Sequence, residues 1–242
     1  MESGPDPYWS VSHHGPLLAL IASPKIEGLE HIPDSDPMIL ASNHLAVMDS
    51  FYLPMMVKRR ITFLAKSEYF TGAGPKGRFL AWFYTAVGQV PIDRTDANSA
   101  AAALTTAVRV LGVGKLLGWY PEGTRSPDGR LYKGKTGLAR VALETGVPVI
   151  PVAMIGTDKV NPPGKGLRFG RVCVKIGKPI DFSRFDGLAG NRFIERALID
   201  EVMYELMQLS GQEYVDLYAA DVKQSVLLDS PPVAPIPGAA TS

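Results

Sequence analysis

Met38-Ile39-Leu40-Ala41-Ser42-Asn43-His44-Leu45-Ala46-Val47-Met48-Asp49 decides how the rest of the chain is read. The apolar run 38–41 follows the turn signal Pro33-Asp34-Ser35-Asp36-Pro37, and a short apolar run bounded by turn residues reads as a buried strand. His44 then falls where the strand ends, and Asp49 in the first turns of a helix expected over about 46–57. Residues five apart do not share a face of a regular helix. With His44 in the preceding turn, its imidazole folds back over the helix start and meets the carboxylate. Such a pair makes a base: the aspartate accepts from one ring nitrogen, fixes the tautomer and leaves the other nitrogen to take a proton. The same residues also suit a histidine that caps a helix and an aspartate on its surface.

A second cluster has the same layout. Leu116-Leu117-Gly118-Trp119-Tyr120 reads as a strand running into Pro121-Glu122-Gly123-Thr124-Arg125-Ser126. Gly123 and Thr124 between two charged residues suit a tight loop with exposed backbone amides. Arg125 offers a planar fork of donors that matches a phosphate. An exposed turn with a surface ion pair is the plainer reading of the same residues.

Around these clusters strand and helix patterns alternate. Strands are expected near 37–42, 61–65, 88–92, 116–120, 149–155 and 171–177, and helices near 46–57, 75–86, 97–112, 136–145 and 191–209. Alternation implies an α/β fold, a mostly parallel central sheet flanked by helices, with ligands bound at one sheet edge. His44, Arg94 and the loop from Glu122 to Arg125 all follow strands, so all can share that edge. Residues 1–222 are expected to form one catalytic domain. Residues 223–242, rich in Pro and Ala, are expected to be a disordered tail.

The two clusters together resemble the glycerophospholipid acyltransferase family, which carries N-H-x-x-x-x-D as its first motif and E-G-T-R as its third. The segment from Lys66-Ser67-Glu68-Tyr69-Phe70 to Gly88-Gln89-Val90-Pro91-Ile92-Asp93-Arg94 looks like the family's second block, and Val147-Pro148-Val149-Ile150-Pro151-Val152 like its fourth. Tyr69 stands where an aliphatic residue is commoner, and Tyr132-Lys133-Gly134-Lys135 replaces a more common Phe-led basic tetrad. The resemblance implies a glycerol-3-phosphate acyltransferase-like fold and direct acyl transfer from acyl-CoA or acyl carrier protein to glycerol 3-phosphate or 1-acylglycerol 3-phosphate. His44 and Asp49 would be catalytic. Arg125, with Arg94 and Lys66, would hold the acceptor phosphate. Glu122 would accept from an acceptor hydroxyl or orient Arg125, Gly123 would let the backbone approach, and Thr124 would line the same loop. No cofactor beyond the acyl carrier and no metal is expected: the four histidines give no ligand spacing. A hydrolase using the same dyad and a silent lipid-binding protein are the competing classes.

Composition bounds the rest. The chain has 242 residues, 46% apolar, and a formal net charge of +1, so bulk charge names no partner and no nucleic acid is expected. Distribution is more telling. Six basic residues and one acidic residue lie between Ser50 and Leu80, against nine acidic and three basic between Asp181 and Val222. The single cysteine, Cys173, sits in the alternating run Arg171-Val172-Cys173-Val174-Lys175-Ile176 and reads as structural. No apolar stretch approaches the ~20 residues that span a bilayer, and the N-terminus lacks a signal-peptide pattern. The expected location is cytoplasmic and peripheral, on an anionic membrane surface at the inner face of the cell membrane. The contact would run through the basic, aromatic segment from Arg59 to Phe83, with Phe79, Trp82 and Phe83 on one helical face.

Overall fold

The computed structural model describes residues 24–66, 72, 74, 77–78, 89–92, 99–162 and 165–229. Its strands are β1 (Lys25–Glu27), β2 (Met38–Ser42), β3 (Ile61–Lys66), β4 (Gln89–Ile92), β5 (Leu116–Trp119), β6 (Leu131–Tyr132), β7 (Val149–Ile155), β8 (Cys173–Ile176) and β9 (Tyr214–Val215). Its helices are α1 (Asp49–Met56), α2 (Ser99–Gly112), α3 (Gly137–Thr145), α4 (Thr157–Val160), α5 (Arg192–Ser210) and α6 (Ala219–Asp229). The main sheet has the order β1-β8-β7-β2-β5-β3-β4. Every pairing from β7 to β4 is parallel, β8 runs antiparallel to β7, and β1 runs parallel to β8. A mostly parallel sheet flanked by helices is thus present.

The central strands are apolar on both faces because both are covered. Ile39 and Ala41 of β2, Leu117 of β5 and Val149 of β7 pack under α2, α3 and α5, against residues such as Leu138, Ile199 and Leu206. Leu40, Leu116, Ile150 and Val152 face the other way, onto Tyr52 and Leu53 of α1. The period of two along each strand divides these clusters. In β8, Val174 and Ile176 are buried while Cys173 and Lys175 are half-buried, which is the expected alternation.

Expected and observed boundaries mostly agree to within three residues. Helix α1 begins at Asp49 rather than Ala46, because residues 46–48 form a tighter turn in which the N–H groups of Asp49 and Ser50 bond the carbonyls three residues back, Ala46 and Val47, at 3.3 Å each. β1, β6 and β9 were not expected; two- and three-residue strands are too short to carry a periodic signal. The expected tail is corrected over 223–229, which are helical in α6. Of the expected helix 75–86 only Gly77 and Arg78 are described, and both are helical; Phe79, Trp82, Phe83 and Arg94 lie outside the described residues. Arg59 lies far from its expected role. Its guanidinium donates to the carbonyls of Pro33, Ser35, Asp36 and Gly114, in the loops that lead into β2 and β5. Those loops form the sheet edge opposite the one where His44 sits.

Candidate active site

β2, β3, β5 and β7 run parallel, so the segments that leave their C-terminal ends gather on one edge. His44 leaves β2 two residues past its end. Its Nδ1 lies 2.9 Å from Asp49 Oδ2, at the start of α1. The same oxygen accepts the backbone N–H of Leu45 at 2.7 Å and of Ala46 at 2.8 Å. An oxygen that accepts two amides is a carboxylate acceptor, so Nδ1 carries the ring proton and Nε2 the lone pair. Asp49 is fully buried, while the His44 side chain keeps 16% of its exposure. The expected His44–Asp49 pair is therefore formed, and its accessible member is the imidazole.

Tyr120 supports the ring from its face. The two rings stack with centroids 3.9 Å apart and planes 12° from parallel. Phe63 of β3 stacks behind Tyr120 at 5.3 Å, and the Tyr120 hydroxyl is 2.9 Å from Ser50 Oγ in the first turn of α1. Burial, then the Asp49 charge, pushes the Tyr120 phenol well above its ordinary range, against the bond to Ser50. Gly118 makes room for this stack: a Cβ there would lie 2.4 Å from the Phe63 ring. No sequence pattern marks Tyr120, because a tyrosine at a strand end has no signature of its own.

Glu122 stands apart from its expected role. It is 1% exposed, and its carboxylate bridges two backbone segments. Oε2 accepts the N–H of His44 at 3.0 Å and Oε1 that of Tyr132 at 2.9 Å. With both oxygens so engaged, Glu122 neither pairs with Arg125 nor faces an acceptor hydroxyl; it clamps the histidine's own backbone. Burial raises its carboxyl to about 7, opposed by the two amide bonds.

The loop after Glu122 turns outward. Gly123 has φ +74°, a left-handed conformation that disfavours side chains. A Cβ there would lie 3.2 Å from the stem of Lys135, whose backbone N–H donates to Pro121 at 2.8 Å. Arg125 is exposed, and the N–H of the next residue, Ser126, donates to the His44 carbonyl at 2.7 Å. The cationic loop is thus stitched to the His44 turn from both sides. Lys223 of α6 was missed by sequence reasoning, since it fell in the expected tail. Its ammonium donates to Thr124 Oγ1 at 3.0 Å and to the Arg125 carbonyl. Burial, and then the nearby Arg125 charge, lowers its pKa. Lys66 ends β3 in register with Ile92 on the same edge.

On the far side of β2, Asn43 exchanges hydrogen bonds with the Met154 backbone, Nδ2 to O at 3.0 Å and N–H to Oδ1 at 2.7 Å. It fixes the chain one residue before His44. Together these contacts hold an imidazole base beside a cationic loop at the mouth of the sheet. Among the described residues no group of three His, Cys, Asp or Glu side chains is placed to hold a metal ion.

Comparison with known proteins places this geometry. The Acyltransferase family profile matches residues 23–155, which include both motifs. A chloroplastic 1-acyl-sn-glycerol-3-phosphate acyltransferase of Arabidopsis thaliana is 36% identical over 193 residues, 76% of this chain and 52% of its own length. The corresponding chloroplastic enzyme of Brassica napus is 36% identical over 164 residues, 66% of this chain and 46% of its own. The chain therefore spans about half the length of these relatives. The crystal structure of the 1-acyl-sn-glycerophosphate acyltransferase PlsC from Thermotoga maritima aligns with TM-score 0.64 at 28% identity, covering 84% of this chain and 79% of that one. The chain belongs to the glycerophospholipid acyltransferase family.

Proposed function

We propose that this chain transfers a fatty acyl group from acyl-CoA or acyl carrier protein to the free hydroxyl of 1-acylglycerol 3-phosphate, forming phosphatidic acid in phospholipid synthesis. The observation that carries the reading is the 2.9 Å contact between His44 Nδ1 and the buried Asp49 carboxylate, beside an exposed Arg125. The names of the relatives favour the acylated acceptor over glycerol 3-phosphate.

In this mechanism the acceptor hydroxyl gives its proton to His44 Nε2 as its oxygen attacks the thioester carbonyl. Asp49 stabilises the imidazolium, and the Tyr120 stack keeps the ring in line. The new C–O bond forms, the C–S bond breaks, and the proton passes from the imidazolium to the departing thiolate. Arg125 holds the acceptor phosphate, with Lys66 and Arg94 as further cations. Because acceptor and product are lipids, the protein works peripherally at an anionic membrane face.

The test is product analysis by mass spectrometry. Purified protein with oleoyl-CoA should yield phosphatidic acid from 1-acylglycerol 3-phosphate, and much less product from glycerol 3-phosphate. Free fatty acid alone would mean hydrolysis, and no turnover with either acceptor would refute the reading.

A further inference from the structure

The connection from β7 to β8 leaves the sheet at the same edge as His44, next to β2. The Asn43–Met154 hydrogen bonds tie the end of β7 to the residue before the base. This connection, residues 156–172, contains four cations, Lys159, Lys165, Arg168 and Arg171, and one acidic residue, Asp158, which lies before the tip 165–171. Two apolar side chains stand among them in the open. Phe169 is 83% exposed and Leu167 47%. Full exposure of a phenylalanine forgoes a burial worth roughly 2 kcal/mol to the fold.

The loop is anchored at its base. Val160 and Val172 are buried, the N–H of Arg168 donates to the Val160 carbonyl at 2.8 Å, and that of Lys165 to Pro162 at 3.0 Å. Gly170 lies so close to Val160 that a Cβ would meet its Cγ2 at 2.8 Å, while Gly166 faces open space. The tip is presented outward by a fixed stem.

Charge distinguishes this tip from two exposed apolar residues elsewhere on the surface. Phe193 and Leu217 are also exposed, but they lie in the acidic stretch between Asp181 and Val222, which an anionic surface repels. Arg59 is committed to backbone carbonyls on the opposite edge. Cations interleaved with an aromatic and a leucine, beside the site's mouth, match the composition of interfacial membrane segments.

We propose that the loop 165–171 is the contact with an anionic lipid surface, with Leu167 and Phe169 entering the interface and Lys165, Arg168 and Arg171 facing lipid phosphates. This rests on the reading of the acceptor as a membrane lipid. It brings the sheet edge that carries His44 and Arg125 down onto the bilayer that stores the acceptor.

The test uses a fluorescent reporter in the full chain. Phe169→Trp should add emission that shifts to the blue with phosphatidylglycerol vesicles at low salt, and neither with phosphatidylcholine vesicles nor at high salt. Leu167→Ser with Phe169→Ser should weaken flotation with phosphatidylglycerol vesicles at least about tenfold. Its turnover of a water-soluble short-chain acceptor should stay at the wild-type level. No spectral shift with anionic vesicles, or unchanged flotation of the double variant, would overturn the proposal; a loop that instead recruits an acidic protein gives that result. A Phe169→Trp reporter that shifts, with wild-type protein that floats but transfers no acyl group, would refute the proposed reaction and leave the lipid contact standing.

Discussion

Glu122 holds His44 by its backbone, Oε2 accepting the histidine N–H at 3.0 Å, while Oε1 takes the N–H of Tyr132. The first residue of the E-G-T-R motif therefore holds the backbone of the turn that pairs His44 with Asp49. Glu122→Gln keeps one acceptor and sets an amide NH₂ against the other backbone N–H, at a cost of about 1–3 kcal/mol. Its folded carboxyl titrates near 7 against an ordinary 4.5, because burial disfavours the charged form. A raised carboxyl pKa means that the folded chain holds a proton the unfolded chain has released. Stability from this group is thus full below about 4.5 and lost as pH rises toward 7, by on the order of 3 kcal/mol. Urea unfolding at about pH 5 and about pH 8 should show the deficit of Glu122→Gln shrinking at the higher pH. A deficit that stays constant would show that Glu122 does not titrate in this window.

Asp49 separates catalysis from stability. Its Oδ2 accepts three donors, and its Oδ1 is buried with no protein partner among the described residues. Asp49→Asn can present its oxygen to the same three donors, but loses the charge that stabilises the imidazolium. It should fold, with kcat lower by about 10²- to 10⁴-fold, as should His44→Ala. Asp49→Ala removes the acceptor for two buried amides as well and should lower the melting temperature. Near-wild-type kcat in Asp49→Asn would remove the aspartate from the mechanism.

Arg125→Lys keeps the charge and loses the planar fork that grips a phosphate on two donors. The KM for acceptor should rise at least about tenfold, with the donor KM nearly unchanged. An effect confined to the acyl donor would place the arginine on the carrier's phosphates.

Lys223 positions the same loop from α6 through Thr124 and the Arg125 carbonyl. Lys223→Met keeps the aliphatic stem and removes the donors, so acceptor KM should rise about three- to tenfold while kcat changes little. Lys223→Arg should restore part of the loss. Equal damage by Met and Arg would point to packing instead.

Gly118→Ala places a methyl 2.4 Å from the Phe63 ring, which backs the Tyr120–His44 stack. Overpacking of this kind costs about 1–3 kcal/mol and should lower kcat as the imidazole tilts. Phe63→Leu in the same chain should recover much of the melting temperature and little of the kcat.

The sequence by itself determined the parallel α/β sheet and the pair at its edge. Strand, turn and helix are read from short-range periodicity, and His44 and Asp49 sit close enough in the chain that local geometry joins them. The contacts of Glu122, Tyr120 and Lys223 and the exposure of Phe169 were decided only by tertiary structure. Glu122 looks like a surface charge until β5 is laid beside β2, when its two oxygens fall between the amides of His44 and Tyr132, 78 and 10 residues away. Lys223 looks like part of a tail, because its contacts lie 99 and 98 residues back along the chain. Phe169 looks like any core aromatic, since hydrophobicity states what a side chain prefers and only the packed fold states whether that preference is met.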